Sequence, residues 1–579
     1  MTGPEARDGP ALTVRLRRAL EQLRQSETHR ALALSLLIGA LVGLVTVAFI
    51  LLTGRLAARM YPAGDSGWRR ILVPSAGSLV TGYLLWRFFP FARGSGIPQT
   101  KFALFINDGR IGFRTVFGKF FCCSASLASG IALGREGPAV HVGAGLASVI
   151  AKNAGLGADQ VKALVPVGCS AALAAAFNTP IAAVLFSLEE IMGDLHASVL
   201  GTAVLSSATS WMVLHLVLGD DPLFHVPGYR LVHPMEFAVY AALGLVGGLG
   251  SVAFVKLLLA LRRRFMQLPK WSVWFQPVVG GLTVGILGYF FPDVMGVGYA
   301  FVDKILNGDV VLKLVVLLAV LKIVATAVCY ASGNAGGIFG PSLFIGATMG
   351  AAIGSIAHSL FPEYTAGPGA YALVGMGTAF AGIVRTPLTS VIMIFEVTRD
   401  YAIIVPLMIS NLIAYFTSFL LQRQPIYEAL AHQDGVHLPA SATRAEAGRV
   451  RVSHAMRVPG AVLSPDMRIE QALAEWSHIG PADAWPVTDR RGLRGILRKA
   501  DLEKAISNMS AAQTLGEILE NSSEIPHVHP DHALSLALER MGARGLHVLP
   551  VVSRADVRQL LGVVVLDDIL AAYGVEGTK

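Results

Sequence analysis

Three glycine-rich segments of this 579-residue chain run straight into a proline: Gly94-Ser95-Gly96-Ile97-Pro98, Gly134-Arg135-Glu136-Gly137-Pro138 and Gly336-Gly337-Ile338-Phe339-Gly340-Pro341. Proline suits the first turn of a helix, where its missing N–H leaves nothing unpaired, so each segment predicts a helix start. The glycines ahead of it permit backbone angles that turn N–H groups outward. Free N–H donors and the partial positive charge of a helix amino terminus make an anion site without a full cation. Ser95 adds a hydroxyl. Glu136 lies inside the second segment, where its carboxylate is the nearest substitute for the anion. Ionised, it would block the site; protonated, it would swing away, so proton and anion would compete for one place. An ion pair with Arg135 is the structural alternative. A second pair of acids, Glu189 and Glu190, ends a later apolar run.

These residues must be positioned by membrane-spanning helices. The chain is 53% hydrophobic and 15% charged, against about 25% charged in soluble domains, and its mean hydropathy is +0.57, which excludes a soluble enzyme. The 141 residues from Pro439 onward hold 33 of the charged residues, so an apolar region precedes a soluble tail of ordinary composition. Residues 1–30 are basic and predict a short surface helix on the cytoplasmic side. Ala31 to Thr53 is uncharged and longer than the ~20 residues that cross a bilayer, so it predicts a retained span rather than a signal peptide. The net charge of +8 sits partly in Arg15, Arg17, Arg18, Arg24, Arg30 and Arg262 to Arg264, which flank apolar spans as cytoplasmic charges do. That pattern argues against nucleic acid as a partner. Cys122, Cys123, Cys169 and Cys329 lie in apolar segments without metal-ligand spacing, so they read as reduced packing residues and no metal site is expected.

The membrane region repeats itself. Lys119, Ala128-Ser129-Gly130, Gly137-Pro138 and Gly143 recur as Lys322, Ala331-Ser332-Gly333, Gly340-Pro341 and Gly346 at an offset of 203, and Pro74, Gly77, Leu79 and Gly82 recur as Pro277, Gly280, Leu282 and Gly285. Gly168, Thr179, Pro180 and Glu189 recur as Gly375, Thr386, Pro387 and Glu396 at 207. The repeats span about 70–215 and 273–421. Tandem halves in a membrane are often inverted, with the site at their interface where corresponding apolar segments are broken by Gly and Pro. Gly134–Pro138 and Gly336–Pro341 are such segments. Glu189 has a repeat partner in Glu396, whereas Glu190 corresponds to Val397 and is special to the first half. The alternative for Glu190 is a solvated carboxylate at the cytoplasmic side.

Together the three loops resemble the anion-binding signatures of the CLC chloride channels and transporters, with Arg423 to Glu428 (RQPIYE) at the place of the family's terminal tyrosine. The resemblance covers about residues 30–430 and implies a polytopic α-helical membrane protein with the inverted-repeat CLC fold and broken helices. It implies anion coordination by the Ser95 and Tyr427 hydroxyls and the Ile338 and Phe339 amides, Glu136 as the gating glutamate, and Glu190 as the internal proton-transfer site. Serine at 95 looks like the chloride-preferring form. No enzyme activity is implied. The expected function is chloride/proton exchange in the cell membrane by a homodimer with both termini cytoplasmic, the alternative being a passive chloride channel of the same fold. An intramembrane serine protease using Ser95 with His141 or His196 is a rival that needs a Ser–His hydrogen bond.

The tail also repeats: Pro465, Asp466, Ala472 and Leu473 recur as Pro530, Asp531, Ala537 and Leu538 at 65, Pro486 recurs as Pro550, and Gly495 with Asp501 recurs as Gly562 with Asp568. Gly495–Leu497 and Leu561–Val565 read as buried strands. After a linker at 431–450, the segments 451–510 and 511–575 resemble a cytoplasmic α/β pair of CBS domains. Asp501 and Asp568 stand where nucleotide-binding members hold a ribose. Those members carry a Thr three positions earlier, whereas Arg498 and Val565 stand there here, which argues against an adenine nucleotide and leaves a regulatory or dimer-stabilising module. No other cofactor is expected.

Overall fold

The computed structural model describes residues 27–579 except 63, 65, 196–197, 221, 227, 229–230, 309–310, 437–449, 460–461, 480–483, 508–513, 520–524 and 573–579. The expected surface helix at 1–30 lies outside the described residues up to residue 26. The chain forms two compact units, Met1–Leu438 and Pro439–Lys579.

The first unit is helical: α1 (Glu27–Met60), α2 (Arg69–Arg87), α3 (Ile97–Phe105), α4 (Phe113–Ala128), α5 (Glu136–Asn153), α6 (Ala158–Phe177), α7 (Pro180–Phe186) and α8 (Leu200–Leu218) make the first half. The second half holds α9 (Glu236–Met266), α10 (Pro277–Phe290), α11 (Tyr299–Leu306), α12 (Leu312–Ala331), α13 (Phe339–Leu360), α14 (Pro368–Val384), α15 (Pro387–Thr398) and α16 (Ile404–Leu421), followed by α17 (Ile426–Gln433). Among the described residues, seven helices are long and apolar enough to cross a membrane. The apolar stretch at 116–150 divides at the Gly134 loop into α4 and α5, because Gly and Pro stop one helix and start the next. The last helix runs to Gln433, a few residues into the segment expected as linker.

The duplication is larger than the sequence landmarks indicate. α1 packs against α6 and α8 as α9 packs against α14 and α16, so each repeat begins one helix earlier than expected. The densest packing lies between α5 and α6 and between their counterparts α13 and α14. A Cβ placed on Gly143 would lie 2.4 Å from the Gly168 carbonyl, and one on Gly346 would lie 2.2 Å from that of Gly375. These shared glycines are therefore where two backbones touch, as small residues allow between membrane helices. At the centre, Gly134 and Gly337 exchange two backbone hydrogen bonds, N–H to O at 2.6 and 2.7 Å, as an antiparallel bridge. They are repeat equivalents, and equivalent residues pair antiparallel only across a two-fold axis. The helices that follow, α5 and α13, thus leave in opposite directions, and the halves are inverted.

The second unit contains α18 (Ile469–Ile479), the hairpin β1 (Ala484–Asp489) and β2 (Gly492–Arg498), and α19 (Lys499–Ser507), then α20 (Leu534–Arg544), the hairpin β3 (Val548–Val552) and β4 (Leu560–Val565), and α21 (Leu566–Ala572). Both expected strands fall inside β2 and β4. Ahead of the helix in each repeat, one residue makes an isolated parallel bridge to the first strand of the hairpin, Leu463 to Val487 and Val528 to Val551. One boundary changes. Arg451 bridges Ala533, Arg457 bridges Val563, and Val452 and Ala455 are buried with Val528, Leu534 and Val564, so the segment opening the expected 451–510 domain packs with the second repeat.

Candidate anion and proton sites

The three Gly-Pro loops converge at the central bridge. A Cβ on Gly137 would meet the Ser95 carbonyl at 2.7 Å, and one on Gly337 would meet the Gly137 nitrogen at 3.2 Å, so only glycine backbones approach this closely. α5 starts at Glu136 and α13 at Phe339, as their prolines predict. The Ile338 and Phe339 amides are bonded to no backbone carbonyl among the described residues, and both residues are fully buried. Ser95 and Tyr427 are buried as well, and neither hydroxyl has a hydrogen-bond partner among the described residues. A buried hydroxyl left without a partner costs about 1–3 kcal/mol, which an anion accepting from both would recover. α17, which carries Tyr427, packs against α3, whose start presents Ser95.

Glu136 is fully buried. Its carboxylate accepts the Tyr299 hydroxyl at 2.5 Å on Oε1 and the Gly340 N–H at 3.3 Å on Oε2. It thus sits on the amino terminus of α13, in the repeat-related loop, where the helix dipole favours negative charge. The Arg135 pairing is looser: Nε stands 3.9 Å from Oε1 and makes no hydrogen bond. Tyr299 and Gly340 are participants that the motif reading missed. Gly340 was legible as the next amide of the same helix start; Tyr299 comes from a separate loop.

Glu190 lies on a π-helical turn, Ser187–Met192, a feature often found at functional sites. It is buried, not solvated: its Oε1 accepts from Lys101 Nζ at 2.8 Å, with side chains 7% and 5% exposed. Lys101 stands on α3, so one nine-residue helix presents Ser95 at its start and holds Glu190 a turn and a half further on. Tyr427 lies within electrostatic reach of both Glu136 and Glu190. The repeated acids beside them are structural. Glu189 accepts from the Thr389 N–H at 2.8 Å and the Leu388 N–H at 3.3 Å, and Glu396 accepts from the Ala182 and Ile181 N–H groups at 2.7 and 2.9 Å. Each half therefore caps the helix start of the other, which leaves Glu190 as the unduplicated acid.

A cavity of about 610 Å³ opens beside Gly94 and is lined by Arg93, Arg262 and Lys270, with Asp434 paired to Arg262 at 2.5 Å. His141 Nδ1 stands 3.0 Å from both Thr100 Oγ1 and the Gly96 carbonyl. The Ser95 hydroxyl bonds no histidine among the described residues, so the serine-protease arrangement is not formed. His196 lies outside the described residues. Cys122, Cys123, Cys169 and Cys329 are buried free thiols, and the described residues hold no cluster suited to a metal.

In the tail, Arg457 Nε stands 3.3 Å from Asp568 Oδ2 without a hydrogen bond, and the residue three positions before Asp568 is Val565 rather than Thr. Millimolar AMP or ATP is therefore expected to leave the melting temperature of the isolated segment 447–579 unchanged, since a ligand stabilises only as its concentration exceeds its dissociation constant. A shift of several degrees that disappears in Asp568→Ala would make the tail a nucleotide sensor.

Comparison with known proteins agrees with this geometry. An H(+)/Cl(-) exchange transporter ClcA of Vibrio campbellii is 32% identical over 369 residues, covering 63% of this chain and 79% of that protein. The solved structure of a slow cyanobacterial Cl-/H+ antiporter superposes with a TM-score of 0.65 at 25% identity, covering 70% of this chain and 98% of that one. A eukaryotic CLC transporter shares the fold over 93% of this chain and 98% of that one, with a TM-score of 0.59 at 21% identity. The CBS-domain profile matches residues 515–574 in the tail. With the voltage gated chloride channel profile matching residues 77–418, on inverted halves that meet at three Gly-Pro loops, the chain belongs to the CLC family.

Proposed function

We propose that this protein exchanges chloride for protons across the cell membrane, with Glu136 as gate and Glu190 as the inner proton-transfer site. The observation that carries the reading is the Glu136 carboxylate bonded to the Gly340 amide: a titratable anion holds the place that a helix start offers to chloride. Protonation removes the charge that the α13 terminus attracts, and the side chain yields that place to chloride. The Ser95 and Tyr427 hydroxyls and the Ile338 and Phe339 amides then coordinate the ion. Arg93, Arg262 and Lys270 gather anions in the cavity beside Gly94, since a basic cleft concentrates its counter-ions. Protons reach Glu136 by way of Glu190, which Lys101 holds beside the middle of α3, outside that cavity's lining. The relatives named as exchangers support this assignment, and the family's pattern supports a homodimer with one pathway per subunit, cytoplasmic termini and a regulatory CBS pair. No enzymatic step is part of this function.

The test is reconstitution. In vesicles given only a chloride gradient, the protein is expected to drive protons uphill, measured with a pH electrode or an internal dye. Chloride flux without proton movement would make it a passive channel.

A further inference from the structure

The Ser95 loop has a repeat image that the landmarks at 203 conceal, because it lies at 202. The short 3-10 turn Pro90–Ala92, the positive-φ residues Gly94 (85°) and Gly96 (104°) and helix α3 correspond to Pro292–Val294, Gly296 (59°), Gly298 (89°) and α11. Each loop is anchored by the repeated buried lysine. Lys119 Nζ donates to the Ala92 and Gly94 carbonyls at 2.8 and 2.6 Å, and Lys322 Nζ donates to those of Val294 and Gly296 at 2.9 and 2.6 Å. The first loop abuts Gly137; its image abuts Gly340, where an added Cβ would lie 2.5 Å from Val297 and 2.9 Å from the Tyr299 hydroxyl. In an inverted repeat the two loops reach the centre from opposite sides of the membrane. Glu136 therefore has the anion-coordinating loop on one side and the Tyr299 loop on the other.

The two loops do different things with the same backbone. Val297 replaces Ser95, so the image loop has no hydroxyl at that position. Its polar group is instead the Tyr299 hydroxyl, bonded to Glu136 at 2.5 Å. The ring is braced by Phe224, edge-on with centroids 5.3 Å apart, and by the Arg135 guanidinium 5.8 Å from its centroid. Resting on the reading of Glu136 as gate, we propose that Tyr299 is a latch, a positioning residue that holds the ionised gate against the Gly340 amide so that chloride must displace a bonded carboxylate. Phenylalanine at this position keeps the ring contacts and removes only the latch.

The experiment is a double-mutant cycle on chloride flux in reconstituted vesicles, with the melting temperature of each variant checked first. Tyr299→Phe is expected to lower the chloride concentration for half-maximal flux about tenfold, the scale of one hydrogen bond to a charged group. In a Glu136→Ala background, which removes the acceptor, the same substitution is expected to change nothing. An equal fall in both backgrounds, a rise, or no change beside native Glu136 overturns the latch. Should Glu136→Ala alone leave the half-saturating chloride concentration at its native value, the gate reading itself fails and the latch with it. If Glu136→Ala shifts that value and Tyr299→Phe does not, only the latch fails.

Discussion

Glu136→Gln is expected to abolish proton coupling while chloride still passes. The amide is nearly the same size and can still accept the Tyr299 hydroxyl that Glu136 accepts at 2.5 Å, so the loop is expected to keep its shape. What it loses is the proton and the charge. Proton transfer by a positioned side chain is worth about 10²- to 10⁴-fold, so proton flux is expected to fall at least about a hundredfold. A neutral side chain also competes poorly with chloride for the α13 amides, and the dependence of chloride flux on pH should flatten. The check is paired recording of proton and chloride movement from one vesicle preparation. Full proton coupling in this variant would place the gate elsewhere.

Glu190→Gln is expected to remove proton transport by a similar factor, again about a hundredfold or more, with chloride flux retained. The two acids differ in what surrounds them. Glu190 is paired with Lys101 in a nearly dry site, and removing one partner of a buried pair commonly costs about 3–5 kcal/mol because the other charge is stranded. A loss of both fluxes could then report misfolding. The double variant Lys101→Met with Glu190→Gln removes both charges and is expected to regain thermal stability without regaining proton transport. Recovery of proton transport in the double variant would show that Glu190 is structural, as would equal loss of both fluxes in folded single-variant protein.

Much of the fold is legible in the residues. Proline after glycine favours a helix start, so Pro138 and Pro341 announce α5 and α13 without any tertiary context. The duplication is legible because Lys119 and Lys322, Gly143 and Gly346, and Glu189 and Glu396 do the same packing or capping in each half. Residue type records such shared duties. The extension of the repeat to α1 and α9 leaves a fainter mark, Gly39 and Gly43 recurring as Gly244 and Gly248 at a third offset, 205, where a Cβ on Gly39 or Gly244 would lie 2.5 or 2.7 Å from the Ser206 or Ser410 carbonyl. The Tyr299 loop escapes for a simpler reason: a one-residue slip in offset hides it, and Val297 in place of Ser95 erases its polar signature.

What the sequence by itself determined is the set of local propensities: where helices begin, which segments are apolar enough for a bilayer, and which acid, Glu190, has no repeat partner. Only the tertiary structure decided which groups meet. Gly134 finds Gly337 across 203 residues, Tyr299 finds Glu136 across 163, and Lys101 finds Glu190 across 89. Each of these contacts joins loops or short helices from different parts of the chain; the first two are set by how inverted halves close around a two-fold axis, and the third by packing inside the first half. A helix start attracts an anion wherever it lies. That the anion it holds is the protein's own carboxylate, bonded by a tyrosine of the opposite half, follows from that closure alone.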